Sequence, residues 1–244
     1  MTHDRDARSG HMSYAASLRY LALATFVFAL TATVTSCAVT QEPLVAQGLL
    51  TGEPCEPPCW RGLVPGLSTQ REVIDVLESS RCADSLEVGP GRYEAITIIT
   101  WQPYRIGWSS QQRNMFELQD GQLEVMSMYV DSDVTLEEVA NRYGAPDKFS
   151  AGLKMSGRIY TLVELFYRQR GMILQLHLYD VVPELKPETK VARVWYFEPA
   201  PLDEAMATIE GKKGEPLEDF QLEWLDYWHD WEGYGVVETD HGYP

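Results

Sequence analysis

Residues 114–146 read NMFELQDGQLEVMSMYVDSDVTLEEVANRYGAP. Two strand-like runs, Asn114–Gln119 and Gln122–Val130, flank Asp120-Gly121, a dipeptide suited to the left-handed positions of a tight hairpin turn. After the second run, Thr135-Leu136-Glu137-Glu138 is a capping box. Thr135 caps the first turn of a helix and Glu138 reaches back to it. Gly144-Ala145-Pro146 closes that helix with a glycine C-cap and a proline stop. A hairpin followed by a fresh helix start predicts an α+β domain on antiparallel strands.

The same opening stands upstream. Thr69-Gln70-Arg71-Glu72 is a capping box too, and Val73 follows Glu72 as Val139 follows Glu138. Val73, Ile74, Val76 and Leu77 give an apolar stripe, so a helix is expected over Gln70–Ser79. Gly89-Pro90-Gly91 then breaks the chain, and β-branched residues mark a strand over Tyr93–Trp101. Downstream of the second helix, strands are expected over Ile159–Arg168, Met172–Tyr179 and Val191–Phe197, with a turn through Gln169-Arg170-Gly171. Met172, Leu174, Leu176 and Leu178 share one face; Gln175 and His177 share the other. The expectation is two tandem units, each a helix plus an antiparallel meander, over residues 55–130 and 131–199, with the helices on one face of the sheet.

Toward the N-terminus, LALATFVFALTATVTSC (residues 21–37) is apolar and follows Arg5, Arg8 and Arg19. It has the order of an export signal and is short for a membrane span, which needs about 20 apolar residues. Its end, Val34-Thr35-Ser36-Cys37, resembles the lipobox of bacterial lipoproteins. That resemblance implies cleavage after residue 36 and diacylglyceryl attachment to Cys37. The protein would be lipid-anchored at the cell membrane or outer membrane, facing the extracytoplasmic side, as two or three acyl chains suffice for stable anchoring. The start codon is Met1 or Met12, since MSYAASLRYLALATF is itself a typical signal opening. Residues 37–54 read as a flexible tether.

Three further cysteines, Cys55, Cys59 and Cys82, would sit in an oxidising compartment. Cys55-Glu56-Pro57-Pro58-Cys59 favours a local disulfide; Cys59–Cys82 is the alternative. The spacing fits neither a zinc site nor the C-x-x-C of thiol oxidoreductases. The net charge of −16 opposes nucleic acid and anionic lipid surfaces. At the other end, Leu202–Ile209 reads as a helix opened by Pro201. From Glu215 onward the chain has acidic residues and no Lys or Arg. Trp224, Trp228 and Trp231 there have helical spacing, so residues 200–244 are expected to form a helical acidic-aromatic segment with a loose tail after Gly233.

Pro65-Gly66-Leu67-Ser68-Thr69 resembles the turn that opens the helix pair of the small lipoprotein of the outer-membrane β-barrel assembly machine. Thr135, Val139, Gly144 and Pro146 match its companion pattern. A doubled unit of this kind is similar to β-lactamase inhibitory protein. Cys59-Trp60-Arg61-Gly62-Leu63-Val64-Pro65-Gly66 is similar to a segment of uncharacterised bacterial lipoproteins. The resemblance implies fold and carries over no binding residue. No nucleophile elbow, zinc-helix motif or phosphate loop occurs, so no cofactor, metal site or catalytic residue is expected. The expected function is a membrane-anchored protein-interaction module; the alternative is an extracytoplasmic hydrolase with an unlocated carboxylate site. Trp101, Tyr104 and Trp108, beside Pro103 and Gly107, are the expected contact residues because aromatics in turn-like sequence are hard to bury.

Overall fold

A computed structural model of the chain describes residues 44–79, 83–103, 113–130, 133–156, 158–211 and 224–239. All of them fall in one unit, Pro43–Pro244. The chain forms α1 (Leu44–Thr51), α2 (Gln70–Ser79), β1 (Ala83–Pro90), β2 (Ile96–Pro103), β3 (Asn114–Gln119) and β4 (Gln122–Tyr129). It continues with α3 (Leu136–Tyr143), β5 (Lys148–Ser156), β6 (Arg158–Tyr167), β7 (Met172–Leu178), β8 (Glu184–Leu185) and β9 (Val191–Phe197). Last come α4 (Leu202–Ile209), β10 (His229–Asp230) and β11 (Gly235–Val236). Nine strands make one antiparallel sheet in the order β1-β2-β3-β4-β9-β7-β6-β5-β10, and β11 pairs with β8. The α+β class expected from the strand and cap signals is the class observed.

Local chemistry accounts for the framework. Asp120 and Gly121 both have positive φ, 51° and 79°, as a two-residue hairpin whose twist matches its strands requires. Both capping boxes form. The Thr69 and Thr135 hydroxyls accept from the Glu72 and Glu138 N–H groups at 3.4 and 3.3 Å. In return the two carboxylates accept from the Thr69 and Thr135 N–H groups at 2.7 and 2.8 Å. Gly171 must be glycine, since a Cβ there would lie 2.0 Å from the Phe197 carbonyl oxygen.

The two caps are docked alike. Thr69 bridges Gln122 at the head of β4, and Thr135 bridges Lys190 just before β9. The flanking bonds correspond: Leu123 N–H donates to Ser68 O, and Val191 N–H to Val134 O. Strand order corresponds as well, β1-β2-β3-β4 running inward from one side and β5-β6-β7-β9 from the other. At the seam, Val125 pairs with Phe197, Ser127 with Trp195 and Tyr129 with Arg193. The shift that carries Gln122 onto Lys190 also carries Ser127 onto its own seam partner, Trp195.

One sheet face carries the main core. Ile99, Trp101, Phe116, Met126, Met128, Val163, Leu165, Leu174, Val194 and Tyr196 pack there against Val45 and Leu49 of α1, Val73 and Leu77 of α2, and Leu136 and Val139 of α3. Phe166, Ile173 and Phe197 alternate with these residues along their strands. They face the other side, under Ala205 of α4 and the ring of Trp228.

Three expectations need correction. The expected tether over residues 37–54 contains α1, whose Val45, Ala46 and Leu49 are buried. The Tyr143 hydroxyl donates to Leu49 O at 2.6 Å and Arg142 donates to Thr51 O at 2.6 Å, which ties α1 to the end of α3. The helices do not all lie on one face, because α4 covers the side opposite α1, α2 and α3. The terminal tryptophans do not share a helix face either: β10 intervenes, Trp228 joins the second core cluster, and Trp231 packs on the first. The expected loose tail carries β11, and Val237 is buried.

Candidate interaction surface

Trp101 is fully buried. β2 extends to Pro103, and its alternation turns Ile99 and Trp101 inward. The Trp101 ring stacks on Trp60 at 5.5 Å and meets Phe116 edge-on at 6.1 Å. Trp101 is therefore a core residue and not a contact residue. Tyr104 and Trp108 lie outside the described residues, as do Cys37 and Cys82. Cys55 and Cys59 are joined by a disulfide with Cα atoms 5.6 Å apart. Glu56, inside that small loop, receives Arg142 at 3.4 Å and Arg170 at 2.9 Å.

Among the described residues, the sheet side opposite the main core is only part-covered. α4 and Trp228 sit over Phe166, Ile173 and Phe197. Beyond them the register brings together a set that the sequence reading left unassigned. Glu164 pairs with Gln175, Leu162 with His177, and Gln175 with Arg193, which pairs with Tyr129 on the next strand. Tyr160 lies two residues before Leu162 on the same side of β6. The Tyr160 and His177 rings are 4.7 Å apart, and Tyr179 is 5.7 Å from Tyr160 and 62% exposed. At the tip of the β5–β6 hairpin, on the main-core side of the sheet, Met155 is 84% exposed and its cross-strand partner Ile159 66%. The alternation of Gln175 and His177 with leucines was the legible signal. The tyrosines were invisible as a group because they come from separate strands.

Arg193 is the centre of this surface. Its guanidinium carbon lies 4.0 Å above the Tyr129 ring centre and 5.8 Å from that of Trp195. Nη2 donates to the Arg113 carbonyl at 3.5 Å. Nε is buried without a hydrogen-bond partner among the described residues, as are Trp195 Nε1 and Ser127 Oγ beside it. Burial lowers the affinity of Arg193 for its proton, and the phenols of Tyr129 and Tyr160, not a carboxylate, oppose that. Glu164 accepts from Gln175 at 2.7 Å and from Ser150 at 3.5 Å. Burial first, then the Arg193 charge, pushes the His177 pKa down, so its imidazole is neutral at neutral pH.

Chemistry on a substrate would need a nucleophile or an acid–base pair converging on a cavity. Glu117 is the carboxyl most altered by its surroundings. Burial between Ile98 and Val125 raises it to about 7, with Arg92 opposing and Glu210 adding to the effect. It is not among the residues that line either of two cavities formed by described residues. One, of about 490 Å³, adjoins the open face beside His177, Tyr179 and Lys190. The other, of about 500 Å³, lies under the C-terminal segment. Among the described residues no group of three His, Cys, Asp or Glu side chains is placed to hold a metal ion. No helix among them is long and apolar enough to cross a membrane. No protein-family model, curated protein or solved structure matches the chain.

Proposed function

We propose that this protein is a lipid-anchored, extracytoplasmic interaction module, whose open sheet face receives a carboxylate-bearing segment of a protein partner. The observation that carries this reading is Arg193, a largely desolvated cation held between Tyr129 and Trp195 with no carboxylate as its neighbour among the described residues. Buried charges are ordinarily paired, and one guanidinium matches one monoanionic carboxylate in its fork geometry. A net charge of −16 disfavours more highly charged ligands such as nucleic acid. Tyr129, Tyr160, Tyr179 and Trp195 add the rigid aromatic area on which interfaces depend.

The matched caps, matched strand orders and the Ser127–Trp195 pairing at the seam support a tandem duplication of one helix-plus-four-strand unit. The N-terminal sequence supports the anchor at Cys37.

Site-specific photo-crosslinking tests the surface. A crosslinker at Tyr179 should capture a protein whose crosslinked peptide contains Asp or Glu, and Arg193→Gln should abolish the capture. Capture indifferent to Arg193→Gln, or equally efficient from exposed Leu67 on the far side of the chain, would overturn it.

A further inference from the structure

The C-terminal segment builds a second concavity, away from the open sheet face. β10 lays His229 opposite Phe149 on the edge strand β5. The chain turns at Gly233 (φ 109°) and returns as β11 against β8. Between this strap and the sheet edge lies the cavity of about 500 Å³, a size that suits a small molecule.

Its walls are aromatic. Trp231 stands at 86° to Phe149 with centroids 6.2 Å apart, and at 86° to Tyr234 at 6.0 Å. His229 closes the set, 5.8 Å from Phe149. All four rings border the cavity, and the face of an aromatic ring is the negative part of its quadrupole, the part that attracts a cation. Among the described residues, the charged members of the lining are Glu232 and Glu238, with no Lys or Arg. The neighbouring cations are already engaged: Lys148 with Asp230 at 2.9 Å, and Lys186 with Glu184 at 3.2 Å.

We propose that this cup binds a small organic quaternary ammonium ion, held against the faces of Trp231, Phe149 and Tyr234 with Glu232 and Glu238 balancing its charge. Such an ion is large, weakly hydrated and apolar at its surface, so it gives up little on leaving water and gains from both ring faces and carboxylates. A small inorganic cation would need converging oxygen ligands instead, and the lining offers two separated carboxylates. Ligand binding here would also fix the strap, since His229 and Val236 at its two ends belong to the strands that hold it to the sheet.

The test is calorimetric titration of the full mature chain with choline and with its neutral isostere 3,3-dimethylbutan-1-ol. Choline should bind saturably and the neutral alcohol at least about 5-fold more weakly, the margin a desolvated cation–π site supplies. Tyr234→Leu, at a half-exposed position that the core does not need, should lower choline affinity several-fold. Glu232→Gln with Glu238→Gln should lower it further and flatten its salt dependence. Equal binding of the two ligands would reduce the cup to an apolar hollow, and absence of any choline heat at tens of millimolar would remove the site; either result overturns the proposal. Trp231→Leu is the stronger lesion, but it also loosens the packing on Phe149, so the Tyr234 and Glu variants decide.

Discussion

Glu117 shows how one side chain can set the pH response of the whole fold. Its carboxyl pKa is raised to about 7 in the folded chain by burial between β2 and β4, against roughly 4.3 in an unfolded chain. The folded state therefore holds a proton that the unfolded state has already lost between those two values. Stability must fall as pH rises through that window and level off above it. Glu117→Gln removes the ionisation while keeping the shape. The variant should be more stable than the parent at pH 8, by on the order of 1–3 kcal/mol, and lose that advantage below about pH 4.5. Urea titrations at the two pH values check this. At the same scale, Trp101 is a stacking partner inside the core. Trp101→Ala should cost about 3–5 kcal/mol and unfold the chain in urea well before the parent. A contact residue would leave the midpoint in place.

Among the elements, the edges and ends carry the surprises. Residues 44–51 look like a tether because LVAQGLLT is short, has a glycine at its centre and sits in a stretch of mixed small and polar residues with no sustained period. A Cβ on Gly48 would sit 3.6 Å from the Trp60 ring, an ordinary contact, so the helix packs beside that ring without requiring the glycine. β1 and β5 were missed for a related reason. Both lie near the edges, where one strand neighbour or one covered face is lacking and the apolar alternation that marks a strand weakens. The strap matters for the same edge. β10 covers β5, whose bare backbone would otherwise be a template for pairing with other chains. A chain ending at Gly211 should therefore lose Trp228 and Val237 from the core and self-associate, which analytical ultracentrifugation would show. The two caps offer a matched pair of smaller effects. Thr69→Ala and Thr135→Ala should each cost about 1 kcal/mol, seen as equal shifts in denaturation midpoint, because both boxes have the same geometry.

At the scale of the molecule, the β4–β9 seam makes the two halves one sheet. Met126 and Met128 on β4, with Val194 and Tyr196 on β9, are buried in one continuous core. A fragment covering residues 44–130 keeps both strands of its hairpin but bares the long inner edge of β4. It should be unfolded or aggregated when expressed alone, and a fully dispersed amide spectrum from that fragment would contradict the single-core reading. The anchor is tested separately. Cys37→Ala should shift the protein from the detergent phase to the aqueous phase with its body still folded, since the described core begins only at Val45.

Periodicity, capping and turn chemistry are local, and these the sequence settled unaided. α2, α3, α4, β3, β4, β7 and β9 lie where Thr69, Thr135, Asp120-Gly121, Pro201 and the alternation of leucines put them, because those signals act within a few residues. The Cys55–Cys59 disulfide is local too, its partners being four apart, but the sequence left Cys59–Cys82 open and the structure decided between them. What tertiary structure alone decided is what meets across strands. Nothing local says that Trp101 faces Trp60, that Arg193 lies over Tyr129, or that Trp231 stands beside Phe149. Those contacts depend on the register of strands far apart in sequence, and a shift of one residue would turn each side chain to the other face. The fold class was therefore readable from short segments, while the candidate surfaces exist only where the sheet brings distant segments together.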